Sequence, residues 1–181
     1  MPEGMNRSDD SATVAAAQTG DRAAFNELYS RYVRLVHGVL LSRVHPADAE
    51  DAVQEVFISA WRQIRSLRDP GAFGGWIASI ARNRAVDFHR RSEQFDDLDD
   101  RHASEEASPE TKAAARQAMR ALQALPEAYR ETLILRLVEG MTGPEIAERV
   151  GMSHGSVRVN LHRGMQLLRE ALGEGKEGAT A

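Results

Sequence analysis

Cysteine is absent from this sequence of 181 residues, which excludes disulfide bonds and zinc sites built on thiolates. Aromatic residues make up only 6% of the chain, which favours small helical cores over a β-sandwich. No apolar run approaches the roughly 18 residues that a membrane span needs. The N-terminus also lacks the basic segment and apolar segment of a secretory signal. These absences favour a cytoplasmic chain that does not insert into a membrane.

Lysine is nearly absent as well, and the formal net charge is −4. The negative charge is concentrated in residues 92–112, where eight acidic residues face two basic ones. The segments on either side, residues 1–91 and 113–172, are mildly basic. Arginine, which supplies most of the positive charge, suits bidentate contacts with phosphate and guanine. Genomic base composition produces the same bias, so both explanations stay open.

Hydrophobic residues recur at three- and four-residue steps in two blocks, which predicts amphipathic helices and no strands. Residues 1–19 lack this period and are expected to form a disordered arm, and residues 173–181 a disordered tail. The expected fold is all-α, with two small helical domains, residues 20–91 and 113–172, joined by a flexible acidic linker over residues 92–112. The predicted helices are 21–40, 47–64, 72–91, 113–125, 126–139, 144–150 and 154–172.

The segment from Thr142 to Arg163 has the pattern of a helix-turn-helix. Gly151 suits the positive φ at the end of the first helix, and Ser153 suits the N-cap of the second. Val157 and Leu161 form the inward seam of that second helix. Its remaining side chains are predicted to enter the major groove of DNA, the alternative being an ordinary solvated face. They are Ser153, His154, Ser156, Arg158, Val159, Asn160, His162 and Arg163.

Two blocks resemble the sigma-70 family of RNA polymerase sigma factors, in its extracytoplasmic-function (ECF) branch. LPEAYRETLILRLVEGMTGPEIAERVGMSHGSVRVNLHR, residues 125–163, resembles region 4 of that family. DAEDAVQEVF (residues 48–57) resembles region 2.2, and AFGGWIASIARNRAVDFHRR (residues 72–91) resembles regions 2.3 and 2.4. Val159 and Asn160 stand where the family usually has Ser-Arg. We therefore hypothesise that the minus-35 sequence differs from that of common relatives.

The resemblance implies a protein that binds core RNA polymerase and directs promoter-specific initiation, without enzyme activity, cofactor or metal of its own. Region 4 would recognise the minus-35 element of promoter DNA, and region 2 would recognise and melt the minus-10 element. The polymerase contacts implied are the β flap and the β′ clamp helices. The clamp contact falls on Asp48, Asp51, Gln54 and Glu55, whose charges also have an alternative reading as ordinary first-turn acids of a helix.

A protein that melts DNA must capture bases as they leave the stack, with basic residues for the backbone and pockets for the bases. The resemblance places this task on the loop from Ser66 to Ala72 and on the helix that follows. Trp76 has two readings, a core residue four positions before Ile80 or a stacking platform for a base. The residues implied are Ser66, Leu67, Arg68, Asp69, Trp76, Arg82, Asn83, Arg84, Asp87, Arg90 and Arg91.

The same resemblance implies an anti-sigma factor as a further partner, and no homo-oligomer is expected. One rival is a stand-alone repressor, which would bind duplex DNA without polymerase but leaves the first block unexplained. A second is an adaptor of polymerase that selects no promoter. A third is an enzyme, against which the sequence shows no glycine-rich phosphate loop, metal-ligand cluster or nucleophile arrangement.

Overall fold

The computed structural model describes residues 7–92 and 108–173, which form eight α-helices, three short 3₁₀ turns and no strand. The all-α prediction is confirmed. None of the described helices has the length and apolar character to cross a bilayer. The helices are α1 (Arg7–Gln18), α2 (Arg22–Leu41), α3 (Ala49–Gln63), α4 (Phe73–Ser92), α5 (Pro109–Gln123), α6 (Glu127–Leu137), α7 (Gly143–Val150) and α8 (His154–Ala171).

The predicted disordered arm is wrong from Arg7 onward, since these residues form α1. Val14 and Ala17 are fully buried against the rest of the first domain. Asp10 accepts hydrogen bonds from Arg31 (2.7 Å) and from the Tyr32 hydroxyl (2.5 Å) on α2. The apolar residues of α1 are few and small, so the sequence gives only a weak periodic signal for this helix. Most of its stability comes from tertiary packing, which the sequence does not show. Residues 1–6 lie outside the described part of the chain.

The predicted linker is too long at its C-terminal end, because α5 begins at Pro109 rather than at Ala113. The Ser108 side chain accepts a hydrogen bond from the Thr111 amide (3.3 Å), and Pro109 occupies the first helical turn. Both are strong helix-start signals. The rest of the predicted linker, residues 93–107, and nearly all of the predicted tail lie outside the described residues.

The buried apolar residues form one core that continues through both halves of the described chain. In the first domain (α1–α4), Leu28, Leu35 and Phe73 are fully buried, and the Tyr32 and Phe73 rings meet edge to face at 5.0 Å. In the second domain (α5–α8), the buried centre is formed by Leu133, Ile134, Ile146, Val157 and Leu168. In both domains the polar faces of the helices point outward. The predicted functional residues belong to those faces.

The two domains also pack against one another, an arrangement that the sequence did not predict. Helix α6 lies on α2, and α7 lies on the start of α4. Two glycines of the first domain mark the closest approaches. A Cβ atom on Gly38 would lie 2.6 Å from Leu135 Cδ2, and one on Gly74 would lie 2.8 Å from the carbonyl oxygen of Arg149. The contact therefore depends on the absence of a side chain at both positions.

Ion pairs surround these close approaches. Glu131 of α6 is buried and accepts hydrogen bonds from Arg43 (2.7 Å) and Arg82 (2.6 Å) of the first domain. His37 Nδ1 lies 2.6 Å from a carboxylate oxygen of Glu139. On α7, the Arg149 guanidinium lies over the ring of Tyr32, 5.3 Å from its centroid, and donates to the Arg31 carbonyl oxygen. Buried charge of this kind is tolerated only when it is paired.

We expect the stability of the protein to fall with acid partly through Glu131. Burial raises the pKa of this carboxyl, but the hydrogen bonds and charges of Arg82 and Arg43 outweigh burial and hold the pKa below its usual value. A carboxylate of lowered pKa stabilises the fold at neutral pH, and that contribution disappears as pH falls through the folded-state pKa, below about 4.3. Urea unfolding between pH 7 and pH 3 should show a shallower loss of stability for Glu131→Gln than for the natural chain. Equal slopes would contradict this role.

Candidate nucleic-acid and polymerase interface

The first helix of the helix-turn-helix, α7, begins with a capping box. Thr142 Oγ1 accepts a hydrogen bond from the Glu145 amide (3.4 Å), and Glu145 Oε2 accepts one from the Thr142 amide (2.7 Å). The hydrogen bonds that the Glu145 carboxylate accepts, first from the Thr142 amide and then from the Thr142 hydroxyl (2.7 Å), lower the pKa of Glu145. Helix α7 therefore starts at Gly143, one residue before the predicted Pro144. This start was not predicted, although the T-x-x-E spacing of Thr142 and Glu145 is a detectable signal for it.

The turn into α8 has the predicted geometry. Gly151 has φ 75° and ψ 28°, and its amide donates to the Ala147 carbonyl oxygen (3.1 Å). The Ser153 side chain accepts a hydrogen bond from the Ser156 amide (3.1 Å), which caps α8. Val157 is buried beneath the turn. The two helices are thus held at a fixed angle by local bonds that the sequence alone predicted.

The outward face of α8 is exposed and chemically mixed. It has hydroxyl groups at its N-terminal end, two imidazoles, two guanidinium groups and the side chain of Val159. Val159 is 44% exposed. Guanidinium groups, hydroxyls and an apolar side chain are the groups that read base edges in a major groove. The exposed members of the predicted set are Ser153, His154, Ser156, Arg158, Val159, His162 and Arg163.

Asn160 differs from the other members of the set, and its contact with DNA stays a prediction. Its side-chain nitrogen donates a hydrogen bond to the carbonyl oxygen of Ala128 on α6 (2.9 Å), and the residue is half-buried. It lies three residues after Val157 and four before Gly164, both of which are buried. The helical repeat therefore turns it toward the core of the second domain. Gly164 in turn allows the close approach, since a Cβ there would lie 2.8 Å from Leu133 Cδ1.

On the first domain, α3 presents the predicted polymerase-facing residues along one stripe. Asp51 and Gln54 are exposed, while Asp48 and Glu55 are half-buried. Ile58 continues the stripe and is 53% exposed. Ile58 was not predicted, although a large apolar residue four positions after Gln54 is a detectable signal. An exposed apolar side chain inside a polar stripe is typical of a protein interface.

The loop before α4 is built from two short 3₁₀ turns, Ile64–Ser66 and Pro70–Ala72. The Ser66 hydroxyl donates to the Gln63 carbonyl oxygen (2.7 Å), and the Asp69 carboxylate accepts from the Gly71 amide (2.9 Å). Leu67 is half-buried, whereas Ser66, Arg68 and Asp69 are exposed. The predicted base-capturing residues therefore lie on an ordered loop.

Helix α1 supports this loop from behind through Gln18. Its side-chain nitrogen donates to the carbonyl oxygens of Ile64 (3.0 Å) and Leu67 (2.7 Å). In return, Arg65 Nε donates to the Gln18 carbonyl oxygen (3.2 Å). Gln18 was not predicted to have this role, because residues 1–19 were expected to form a disordered arm. The predicted minus-10 loop is therefore positioned by a segment about 50 residues away in the chain.

Replacing Gln18 by alanine should loosen the loop. The change removes two hydrogen bonds, each contributing roughly 0.5–1.5 kcal/mol. Amide hydrogen exchange in residues 64–72 should accelerate about ten-fold, by the lower part of that range. Thr19→Ala is the matched control, because the Thr19 hydroxyl bonds only within its own segment, to the Ala16 carbonyl oxygen. Unchanged exchange in the Gln18 variant would show that α1 does not hold the loop.

A continuous basic track of arginines along α4 was predicted. The described side chains of this helix do not form one. Arg82 points to α6 and binds Glu131, whereas Arg84 points to α3, where it lies 3.6 Å from Glu55 and 3.3 Å from the Ser59 hydroxyl. Residues two positions apart in an α-helix are separated by about 200° around the helix axis. Arg82 and Arg84 therefore lie on different sides of α4. The side chains of the other two predicted arginines, Arg90 and Arg91, lie outside the described residues.

Between these flanks, Asn83 and Asp87 are exposed and share one face of α4. Trp76 and Ile80 continue that face toward the N-terminus at helical spacing. The Trp76 ring is half-buried and lies 5.7 Å from the Phe73 ring. Trp76 therefore packs on the core and also belongs to the face that carries Asn83 and Asp87. Its two interpretations, a core residue and a stacking platform for a base, are compatible in this structure.

Comparison with known proteins assigns both halves of the chain. Residues 28–95 match the family model for Sigma-70 region 2, and residues 115–168 match that for Sigma-70, region 4. The chain is 32% identical over 179 residues to the ECF RNA polymerase sigma-E factor of Haemophilus influenzae, covering 90% of this chain and 95% of that protein. It is 36% identical over 162 residues to the RNA polymerase sigma factor CarQ of Myxococcus xanthus, covering 86% and 92%.

Two solved structures share the fold. One is CnrH in complex with the cytosolic domain of CnrY, with a TM-score of 0.63, 24% identity and coverage of 92% of this chain and 98% of that one. The other is the sigma factor RpoE in complex with the anti-sigma factor NepR from Bartonella quintana, with a TM-score of 0.56, 21% identity and coverage of 84% and 98%. At these identities the likeness extends to the fold alone.

Proposed function

The chain belongs to the sigma-70 family of RNA polymerase sigma factors, in its ECF branch, and directs promoter-specific transcription initiation. We propose that three of its surfaces have separate roles in this process. Helix α8 reads the minus-35 element, α3 docks on core polymerase, and α4 with its preceding loop captures the minus-10 strand. The observation that carries the proposal is the exposed face of α8, which presents seven of the eight side chains predicted to read DNA.

In the major groove, Arg158 binds a guanine in bidentate fashion and Val159 contacts a thymine methyl group. Each good pair discriminates against a wrong base by roughly 1–3 kcal/mol. Because Asn160 bonds to Ala128, Val159 is the outward position at which the chain departs from its family. The hypothesis of a distinctive minus-35 sequence therefore rests on Val159. Selection from random promoters by the holoenzyme tests it, and recovery of the most common family motif would contradict it.

On α4, the exposed face with Asn83, Asp87 and the Trp76 edge receives bases that leave the duplex. Opening a base-pair step costs about 1.4 kcal/mol, so each captured base must return an interaction of that size. The 3₁₀ loop from Ser66 to Ala72 supplies an ordered rim for one flipped base. Arg82 joins the backbone contacts once it leaves Glu131.

The polymerase contacts are divided between the domains. The acidic stripe of α3 meets the basic β′ clamp helices, where opposite charge sets the orientation and speeds association. Ile58 supplies an apolar anchor in the same stripe. The second domain meets the β flap, so that α8 is carried to the minus-35 element.

The protein acts in the cytoplasm, where the polymerase supplies all of the catalysis, and it needs no cofactor. An anti-sigma factor restrains it. The support for that partner is the RpoE–NepR structure, in which a similar fold binds an anti-sigma factor, and the CnrH–CnrY structure, in which a similar fold binds a cytosolic domain. The chain acts as a single copy on each polymerase.

Run-off transcription tests the proposal. Purified core polymerase and the chain are combined on templates that carry the region upstream of its own coding sequence. A discrete transcript should appear only when both proteins are present, and it should vanish when α8 is removed by truncation at residue 152. Duplex binding without polymerase, together with no new transcript, would favour the stand-alone repressor instead. Polymerase binding without any selected start site would favour the adaptor.

A further inference from the structure

We infer that Asn160 is a positioning residue, which fixes the orientation of α8 on α6 and thereby sets how well the outward side chains of α8 discriminate between bases of the minus-35 element. The inference rests on the proposed role of α8 and deepens it. It assigns part of the promoter specificity to a contact within the protein.

Asn160 lies at the border between the inward and outward faces of α8. The residue is half-buried, whereas its neighbour Val159 is 44% exposed. Its side-chain nitrogen donates a hydrogen bond to the carbonyl oxygen of Ala128 (2.9 Å), in the first turn of α6. An asparagine reads adenine with the nitrogen and the oxygen of its amide together. The amide that points to α6 is therefore not available for such a bidentate contact.

The hydrogen bond of Asn160 is the directional contact between the two helices. The buried apolar side chains of α8, Val157 and Leu168, lie about three turns apart, and the buried residue between them is Gly164, which has no side chain. Burial of apolar surface is non-directional, whereas a hydrogen bond weakens steeply as its angle changes. Within the described residues, no other side-chain hydrogen bond joins α8 to α6.

Gly164 brings the two helices close enough for this bond. It lies one turn after Asn160 on α8, and a Cβ atom there would lie 2.8 Å from Leu133 Cδ1 and 3.1 Å from Tyr129 Cβ. The side chain of Asn160 is short, so its amide reaches the Ala128 carbonyl oxygen only when the two backbones are close. The glycine therefore permits the close crossing, and the asparagine fixes the rotation of α8 within it.

A small rotation of α8 is enough to change base discrimination. Side-chain tips lie about 6 Å from the axis of a helix, so a roll of about 10° displaces them by about 1 Å. Binding groups must be held within about 0.5 Å of their productive positions, which is also the range of a good hydrogen bond in length. Because Arg158, Val159 and Arg163 move together with the helix, such a roll would weaken several base contacts at once.

The test compares Asn160→Ala with the natural chain, each as holoenzyme on the selected promoter. Duplexes that carry every other base at each position of the minus-35 element are bound in turn, and ratios of dissociation constants give the preference at each position. We expect Asn160→Ala to lower the preference about three-fold or more at two or more positions, including the position read by Arg158.

Gln166→Ala is the matched control for this variant. Gln166 is an exposed amide on the same helix, and its side chain has no hydrogen bond to any residue that the structure describes. The control should keep the full preference at every position.

Gly164→Ala disturbs the same crossing without removing the amide. The added Cβ would push α8 away from Leu133, while alanine is favoured over glycine inside a helix and supports folding. This variant should lower the preferences at the same positions as Asn160→Ala. The double variant should be little worse than either single one, since both act through one contact.

The orientation of α8 is measured on the free chains, without DNA or polymerase. Residual dipolar couplings of the backbone amides report the angle between α6 and α8 and the roll of α8 about its axis. Asn160→Ala and Gly164→Ala should each change this orientation by about 10° or more, whereas Gln166→Ala should not. An unchanged orientation in Asn160→Ala would overturn the inference.

The binding data separate positioning from two other roles. Loss of preference at a single position in Asn160→Ala would show that Asn160 reads a base directly, and the inference would be wrong. Lower thermal stability with every preference unchanged would show that the bond serves folding alone, which also overturns it. If the natural holoenzyme shows no preference at any minus-35 position, the proposed role of α8 is wrong, while the dipolar couplings still decide whether Asn160 fixes the helix.

Discussion

Combining Asp51→Arg with Gln54→Ala is expected to abolish binding to core polymerase. Both side chains are exposed on the α3 stripe, and a reversed charge would face the basic clamp helices with like charge. Juxtaposed like charges at an interface cost several kcal/mol, so the affinity should fall by about 100-fold or more. Fluorescence anisotropy of the labelled chain with core polymerase measures the change.

The control for this prediction is Glu50→Arg. Glu50 is also exposed and also lies in the first turn of α3, so its replacement carries the same change in charge and the same cost at the helix N-terminus. It lies at the edge of the stripe, one helical turn before Gln54 and about 100° around the helix from Asp51, so its replacement should cost much less affinity. Comparable losses in both variants would mean that net charge, rather than the stripe, determines docking, and that the assignment of the stripe is wrong.

Replacing Arg158 by alanine is expected to remove discrimination at one position of the minus-35 element. Loss of a bidentate contact with guanine corresponds to about 1–3 kcal/mol, or roughly 5- to 150-fold in affinity for the preferred base. Holoenzyme binding should be measured on the selected promoter and on variants with each of the other bases at that position. The Arg158 variant should bind all four with similar affinity.

Arg169→Ala is the matched control, because Arg169 is exposed on the same helix but lies in its last turn. This control should retain the full preference for the selected base. If Arg158→Ala weakens binding to every sequence equally, Arg158 contacts phosphate rather than a base, and the reading of α8 must be revised.

The two sets of experiments are connected by the packing of the domains. The stripe on α3 and the outward face of α8 are exposed while the domains are packed, whereas Arg82 is bound to Glu131. Core polymerase can therefore engage α3 in this arrangement, whereas Arg82 must leave Glu131 before it contacts DNA. This order agrees with the role of a sigma factor, which selects a promoter as part of the holoenzyme.

Local chemistry was enough to predict most of the helices and the helix-turn-helix. Gly151 at positive φ and Ser153 at the N-cap act within a few residues of their own position, and Val157 follows the helical repeat. The T-x-x-E capping box of Thr142 and Glu145 is equally local and was readable in the sequence. These features need no knowledge of distant segments.

The role of individual side chains depended on partners far away in the chain. Asn160 looked like an outward residue until the structure placed the Ala128 carbonyl oxygen beside it. Arg82 and Arg84 both looked like DNA contacts, but their two-residue spacing directs them to Glu131 and Glu55. Gln18 had no local signal, because its two acceptors belong to a loop about 50 residues away. The pattern of residues along the sequence shows which residues share one face of a helix. It does not show which distant residues pack against that face.

The amino-acid sequence alone was enough to establish a helical protein with a helix-turn-helix at Thr142–Arg163 and a polar stripe at Asp48–Glu55, since periodicity and caps are local properties. Only the tertiary structure decided that α1 is ordered beneath the Ser66–Asp69 loop and that the two domains close on one another. That closure requires two surfaces to be complementary in shape and charge. Neither Gly38 nor Glu131 signals this closure alone, because the residues that each contacts lie about 50 to 100 positions away in the chain.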